Sequence, residues 1–166
     1  MHTTPPGCRS DRWAPPGGTS PTERPYPATL ADLVGYLEMH PGRDSSSWKV
    51  CTAGDDVVPV DPHRRFHKAT GFEIAELYGM TEVLSCMTNL PFGRKKLGSV
   101  GLPAVRTACR VVDCDDRDLL PDTLGELLVN SPAMLVGYWD DPIATADALR
   151  GGWMHTGDLA KVDADG

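Results

Sequence analysis

Phe72-Glu73-Ile74-Ala75-Glu76-Leu77-Tyr78-Gly79-Met80-Thr81-Glu82 is the stretch of this 166-residue chain on which the fold and the site both turn. Its first six residues form a β-prone run with apolar residues at four positions, and they feed an aromatic ring, a glycine, a hydroxyl and a carboxylate. Strand followed by turn is the expected arrangement, with Tyr78 to Glu82 forming a ligand-binding turn. Each residue type suits a nucleotide. Tyr78 offers a flat face for a base, and Gly79 lets the backbone approach a ligand. Thr81 can donate to a phosphate oxygen, and Glu82 can hold a hard cation through oxygen. The plainer alternative for Tyr78-Gly79 is a strand that ends in a glycine turn and opens a helix.

Upstream, the pattern predicts strand, helix, strand. Trp48-Lys49-Val50-Cys51-Thr52-Ala53 has strand propensity and stops at Gly54-Asp55-Asp56. Asp61-Pro62 predicts a helix start, with Asp61 as the capping carboxylate and proline at the first helical position, and Gly71 predicts its end. A right-handed crossover lays two such strands side by side and parallel. The loops at Gly54 to Asp56 and at Tyr78 to Glu82 then share the carboxyl edge of one sheet, where open α/β sheets bind ligands. Before this unit, Leu30, Leu33, Val34 and Leu37 recur at helical spacing, with Thr29 as expected N-cap and Pro41-Gly42 as the stop.

Residues 1–27 hold Pro5, Pro6, Pro15, Pro16, Pro21, Pro25 and Pro27, a density expected to prevent helix and ladder and to leave the segment disordered. Past Glu82 the chain becomes β-rich and punctuated by glycine. Strands are expected over Val105 to Val112, Gly125 to Val129 and Met134 to Tyr138, with Asp113 to Thr123 as a hairpin connection. Asp141-Pro142 predicts a short helix ending at Gly151-Gly152, and the tail from Trp153 predicts a hairpin that stops in its turn, its partner strand absent. The expected fold class is α/β: a partial parallel βαβ sheet subdomain at 28–97, then a small antiparallel sheet or barrel at 98–166, together a fragment of a larger fold.

Charge narrows the partners. The formal net charge is -7, and from Val111 to Gly166 twelve acidic residues face three basic ones, which repels nucleic acid. Arg94-Lys95-Lys96 is too short for a phosphate-tracking groove and predicts a solvated loop. No apolar run approaches the roughly 20 residues that cross a bilayer, and no signal peptide opens the sequence, so the expectation is a cytoplasmic protein. Five cysteines without a C-x-x-C pair predict reduced thiols, with Cys109 and Cys114 placed by packing rather than pairing. His63 and His67 have the i, i+4 spacing of a zinc pair, but Arg64 stands where a zincin needs glutamate, so a solvated helix face is expected. Asp163-Ala164-Asp165-Gly166 resembles the start of a calcium loop and predicts a hairpin turn instead.

Four features in order carry a family resemblance: Ala53-Gly54-Asp55-Asp56 after a strand, Tyr78-Gly79-Met80-Thr81-Glu82, Gly125-Glu126-Leu127 through Gly137-Tyr138, and Trp153 through Thr156-Gly157-Asp158-Leu159. Over residues 26–166 the chain resembles the middle of an AMP-forming acyl-CoA synthetase, of the adenylate-forming ligase superfamily. That resemblance implies activation of a fatty or aryl carboxylic acid with ATP and Mg²⁺ to an acyl-AMP, and transfer of the acyl group to coenzyme A. It implies that Gly54, Asp55 and Asp56 border adenine, although the family often has Gly-Ala-Pro or Gly-Glu-Pro there. Tyr78 would stack on the base, Gly79 and Met80 would border the acyl and phosphate groups, and Asp158 would accept from the ribose hydroxyls. Thr81 and Glu82 would be the catalytic pair, with Thr81 bonding phosphate and Glu82 holding Mg²⁺. The sequence carries no copy of the family's lysine-closed phosphate loop or of its lid lysine, so no turnover is expected from this chain alone. The alternative is a non-catalytic nucleotide-binding or protein-interaction module completed by a separate chain.

Overall fold

The computed structural model of the protein describes residues 22–23, 27–54, 58–89 and 95–166, and the chain divides into two compact units, one reaching to Ala75 and one spanning Glu76–Gly166. The sequence expectations for residues 1–21 and 24–26 lie outside the described residues.

In the first unit, β1 (Thr22–Glu23) pairs in parallel with β2 (Val50–Ala53), Thr22 opposite Val50 and Glu23 opposite Cys51. This corrects the expectation that the proline-rich stretch forms no ladder. Thr22 and Glu23 are not proline, so both keep the N–H that a ladder uses. Helix α1 (Pro27–Met39) begins two residues before the expected cap and takes Thr29 inside it, because proline is accepted in a first turn where N–H groups have no helical partner. Its apolar stripe is realised: Leu30 and Val34 are fully buried and Leu37 nearly so.

Helix α2 (Val60–Thr70) starts after Pro59, and no side chain caps it. Asp61 therefore lies within the first turn instead of at the cap, where its charge suits the helix dipole and its Oδ2 meets Arg65 Nη1 at 3.4 Å. The stop is as expected: Gly71 is left-handed at φ 77° and its N–H donates to the His67 carbonyl at 2.8 Å. His63 is not on a solvated face. It shares a helix face with Phe66, three residues on, and both are buried, while His67 is exposed with Nδ1 3.3 Å from the Phe72 carbonyl. Phe66 stacks on Trp48 at 5.7 Å between ring centroids, and Cys51, Ala53, Val58 and Ile74 complete this core with the α1 stripe. β2 lies between β1 and the start of β3 (Ile74–Met80), so strand, helix and strand follow the expected order.

The second unit continues β3 into an antiparallel set, β3, β4 (Leu84–Thr88) and β5 (Leu102–Pro103). A second sheet, in the order β6 (Ala108–Val112), β7 (Gly125–Asn130) and β8 (Met154–Ala160), is antiparallel throughout and open, so the sheet alternative holds and the described strands close no barrel. The expectation of a tail strand without its partner is corrected: β8 pairs with β7.

Met134 to Tyr138 is irregular, not a strand. Its polar backbone is satisfied elsewhere: Leu135 N–H donates to the Glu82 carbonyl at 2.7 Å, and Tyr138 N–H to Thr145 Oγ1 at 2.8 Å. Helix α3 (Pro142–Ala148) is capped as expected, Asp141 Oδ1 accepting from Ala144 N at 2.9 Å. Val83, Cys86, Met87, Leu127, Val129 and Met154 form the core of this unit.

Candidate functional site

Tyr78, Gly79 and Met80 are the last residues of a strand, not the turn that follows one. β3 runs on because β4 pairs with it as far as Met80 opposite Leu84, and a three-residue turn, Thr81 to Val83, closes the hairpin through Val83 N–H to the Met80 carbonyl at 3.1 Å. The alternative of a helix after Tyr78-Gly79 falls with it. The register shifts between Tyr78 and Gly79, and at Gly79 the two backbones come so close that a Cβ would stand 2.2 Å from the Leu84 carbonyl oxygen. Only glycine fits that crossing.

This hairpin sets out the predicted residues. Val83, 1% exposed, is the apolar anchor of the turn; Thr81 is exposed beside it and Glu82 half-buried. Glu82 is also engaged by the loop that precedes α3, with its carbonyl accepting from Leu135 N–H and its Oε1 accepting from the Tyr138 hydroxyl at 3.1 Å. Sequence reasoning missed Tyr138 as a site neighbour because it placed that residue in a strand.

Asp158 arrives from the opposite end of the sequence. Glu126 pairs with Leu159 but Leu128 with His155, so β8 spends two extra residues across Leu127 and bulges at Thr156-Gly157-Asp158. Gly157 takes the left-handed φ of 74° that the bulge needs, Thr156 Oγ1 donates to the Leu127 carbonyl at 2.8 Å, and Asp158 N–H donates to Thr156 Oγ1 at 3.1 Å. The carboxylate so aimed accepts the Tyr78 hydroxyl at 2.5 Å, across 80 residues of chain. Burial, and after it the Asp158 carboxylate, push the Tyr78 hydroxyl pKa well up, so at neutral pH it remains a donor. Tyr78, Thr81, Glu82 and Asp158 thus belong to one unit, with Gly79 and Met80 between them in the chain. Gly54 directly follows β2 in the first unit and is buried, while Asp55 and Asp56 lie outside the described residues.

Two ionic clusters lie in the same unit. Asp116, Glu126 and His155 bring ligand-type atoms within 4.8 Å of one another, but Arg150 stands 3.7 Å from both carboxylates and supplies their positive charge. Lys96 Nζ sits 2.6 Å from both Asp163 and Asp165, so this exposed lysine is also ion-paired, and the tail is the turn expected of it, Gly166 N–H reaching the Asp163 carbonyl. Arg94 lies outside the described residues. Among the described residues the histidine pair at 63 and 67 joins no cluster able to hold a metal, no helix is long and apolar enough to cross a membrane, and Cys51, Cys86, Cys109 and Cys114 form no disulfide.

The profile of the AMP-binding enzyme family matches residues 24–139. A long-chain-fatty-acid–CoA ligase of Bacillus subtilis (strain 168) is 36% identical over 146 residues, which are 85% of this chain and 26% of that protein. A feruloyl-CoA synthase of Amycolatopsis sp is 37% identical over 135 residues, 78% of this chain and 27% of the relative. Among solved structures, ATP-bound MatB from Rhodopseudomonas palustris superposes with a TM-score of 0.82 at 27% identity, covering 87% of this chain and 29% of that one. The anthranilate CoA ligase AuaEII in complex with anthranoyl-AMP gives 0.79 at 26% identity, covering 87% and 28%. The chain spans about a quarter of the length of the curated relatives it matches.

Proposed function

Since the chain belongs to the AMP-binding enzyme family, we propose that it carries the ribose and cation side of an adenylate site from an acid–CoA ligase. The observation that carries this reading is the 2.5 Å bond between Tyr78 and Asp158, two residues assigned to one nucleotide from motifs 80 positions apart. A carboxylate suits a vicinal diol because its two oxygens can accept from both hydroxyls. Tyr78 can hold one Asp158 oxygen while its ring faces the base. Thr81, exposed at the hairpin tip, is the phosphate donor in this reading.

Glu82 and Thr81 supply hard oxygen donors, which fit Mg²⁺, and one carboxylate is what such an ion usually takes from a protein when phosphates provide the rest. When bound, that ion would neutralise charge gathering on the phosphates. The reaction proposed for the longer enzyme is attack of a carboxylate oxygen on the α-phosphorus of ATP, with loss of pyrophosphate. The thiol sulfur of coenzyme A then attacks the acyl carbon and AMP leaves. Fatty and aryl carboxylic acids are the substrate class, in keeping with the names of the relatives, and the cytoplasm is the proposed location. This chain alone is expected to bind without turning over, because its sequence holds no phosphate loop closed by lysine.

Titration of the purified chain with a non-hydrolysable acyl-adenylate mimic and its 2′,3′-dideoxy form tests the proposal. Wild type should prefer the ribo form, and Asp158→Ala should erase the preference. Absence of binding would favour a protein-interaction module, and a preference retained by Asp158→Ala would remove Asp158 from the ribose.

A further inference from the structure

We propose that Tyr138 is a positioning residue for Glu82, fixing which carboxylate oxygen meets the cation; the inference rests on the assignment of that cation to Glu82. Glu82 sits at the tip of a three-residue turn, where its own rotatable bonds would let the carboxylate sweep a wide arc. The structure holds it twice. Its carbonyl accepts from Leu135 N–H at 2.7 Å, and its Oε1 accepts from the Tyr138 hydroxyl at 3.1 Å.

Tyr138 is itself held from α3. Its N–H donates to Thr145 Oγ1 at 2.8 Å, the same hydroxyl donates to the Asp141 carbonyl at 2.7 Å, and Asp141 caps the helix through Ala144 N–H at 2.9 Å. A rigid first helical turn is thereby linked through Thr145 and Tyr138 to the tip of the β3–β4 hairpin. The chemical consequence lies in the carboxylate. With Oε1 accepting from the phenol, Oε2 is the Glu82 oxygen left to hold a cation, and a single carboxylate oxygen would leave room for phosphate and water around a small ion. Phenol donation also keeps Glu82 aimed before any ligand arrives, so less side-chain freedom remains to be lost on binding.

The test uses the purified chain and a non-hydrolysable ATP analogue, titrated by NMR with and without Mg²⁺. The readout is the factor by which Mg²⁺ tightens the analogue. Tyr138→Phe should lower that factor roughly three- to tenfold, the weight of one hydrogen bond, with far-UV circular dichroism and melting temperature unchanged. Glu82→Gln should abolish the factor, and adding Tyr138→Phe to it should change nothing further. A wild-type factor in Tyr138→Phe, or an equal loss in both backgrounds, would overturn the positioning role while leaving the cation at Glu82. No loss in Glu82→Gln, or no tightening of wild type by Mg²⁺, would instead overturn the cation assignment and this inference with it.

Discussion

Replacing Gly79 with alanine places a Cβ 2.2 Å from the Leu84 carbonyl oxygen and 2.7 Å from Ser85 Cα. Both obstacles are backbone, so no rotamer change relieves the contact, and the strands must part by about 1 Å to restore van der Waals distance. Beyond Gly79 lie only the pairs Gly79 with Ser85 and Met80 with Leu84, then the turn anchored by buried Val83. Parting the strands there weakens the hydrogen bonds of that end, each worth about 1 kcal/mol, and draws Val83 from its core. The expected cost is about 3 kcal/mol, at the upper end of overpacking penalties. For a unit the size of Glu76–Gly166 that lowers the melting midpoint by roughly 12–24 °C. Gly35 in α1 is the control: nothing lies within 4 Å of its Cβ position, so Gly35→Ala should be neutral or stabilise by up to about 1 kcal/mol. Urea and thermal unfolding followed by far-UV circular dichroism give both values. A Gly79→Ala protein within about 0.5 kcal/mol of wild type would refute the close crossing of β3 and β4.

Phe66→Ala, which empties a fully buried site against Trp48, should cost about 3–5 kcal/mol in the same urea experiment. Asp141→Ala should cost about 1 kcal/mol by loss of the α3 cap and Asp141→Asn much less, as read from thermal melts. Native iodoacetamide labelling at pH 8 with peptide mapping should modify exposed Cys114 while sparing Cys109, whose thiol burial pushes to about 11, along with buried Cys51 and Cys86. Glu38 is held below the usual carboxylate range by its bond to Arg65. Because its folded pKa is lowered, this pair stabilises fully above about pH 4.5 and progressively less as pH falls through the folded value. Glu38→Gln should flatten that part of the stability profile; an identical acid slope in both proteins would speak against the pair.

Local rules read well where the chain obeys one rule at a time. The α1 stripe, the Gly71 stop and the Asp141-Pro142 cap each depend on neighbours within four residues, and each is where its signal put it. Tyr78 and Asp158 were legible as a pair only through their motifs, since no periodicity links positions 80 apart. The misread elements are those in which a tertiary partner outbids a local preference. Met134 to Tyr138 has β-prone residues, yet its N–H groups go to Glu82 and Thr145. Asp61 has the chemistry of a cap, but Pro59 in an extended conformation starts the helix first. His63 is polar by type and buried by phase, one face with Phe66. The two extra residues in β8 escape any alternation rule, because an insertion of two keeps the residues on either side in phase and leaves no mark in the pattern.

The span of 80 residues between Tyr78 and Asp158 also orders events in time. Loop closure over that distance costs chain entropy before the contact returns anything, so contacts of this kind belong to the late stages of folding. The β3–β4 hairpin, by contrast, closes over three residues and can form early. During synthesis the hairpin would leave the ribosome with Tyr78 in place, and its carboxylate partner would follow only when β8 emerges and zips onto β7. The nucleotide capture proposed for this pair would then mark completion of the second unit, and any chain stalled before Asp158 would lack the contact however well its earlier strands had formed.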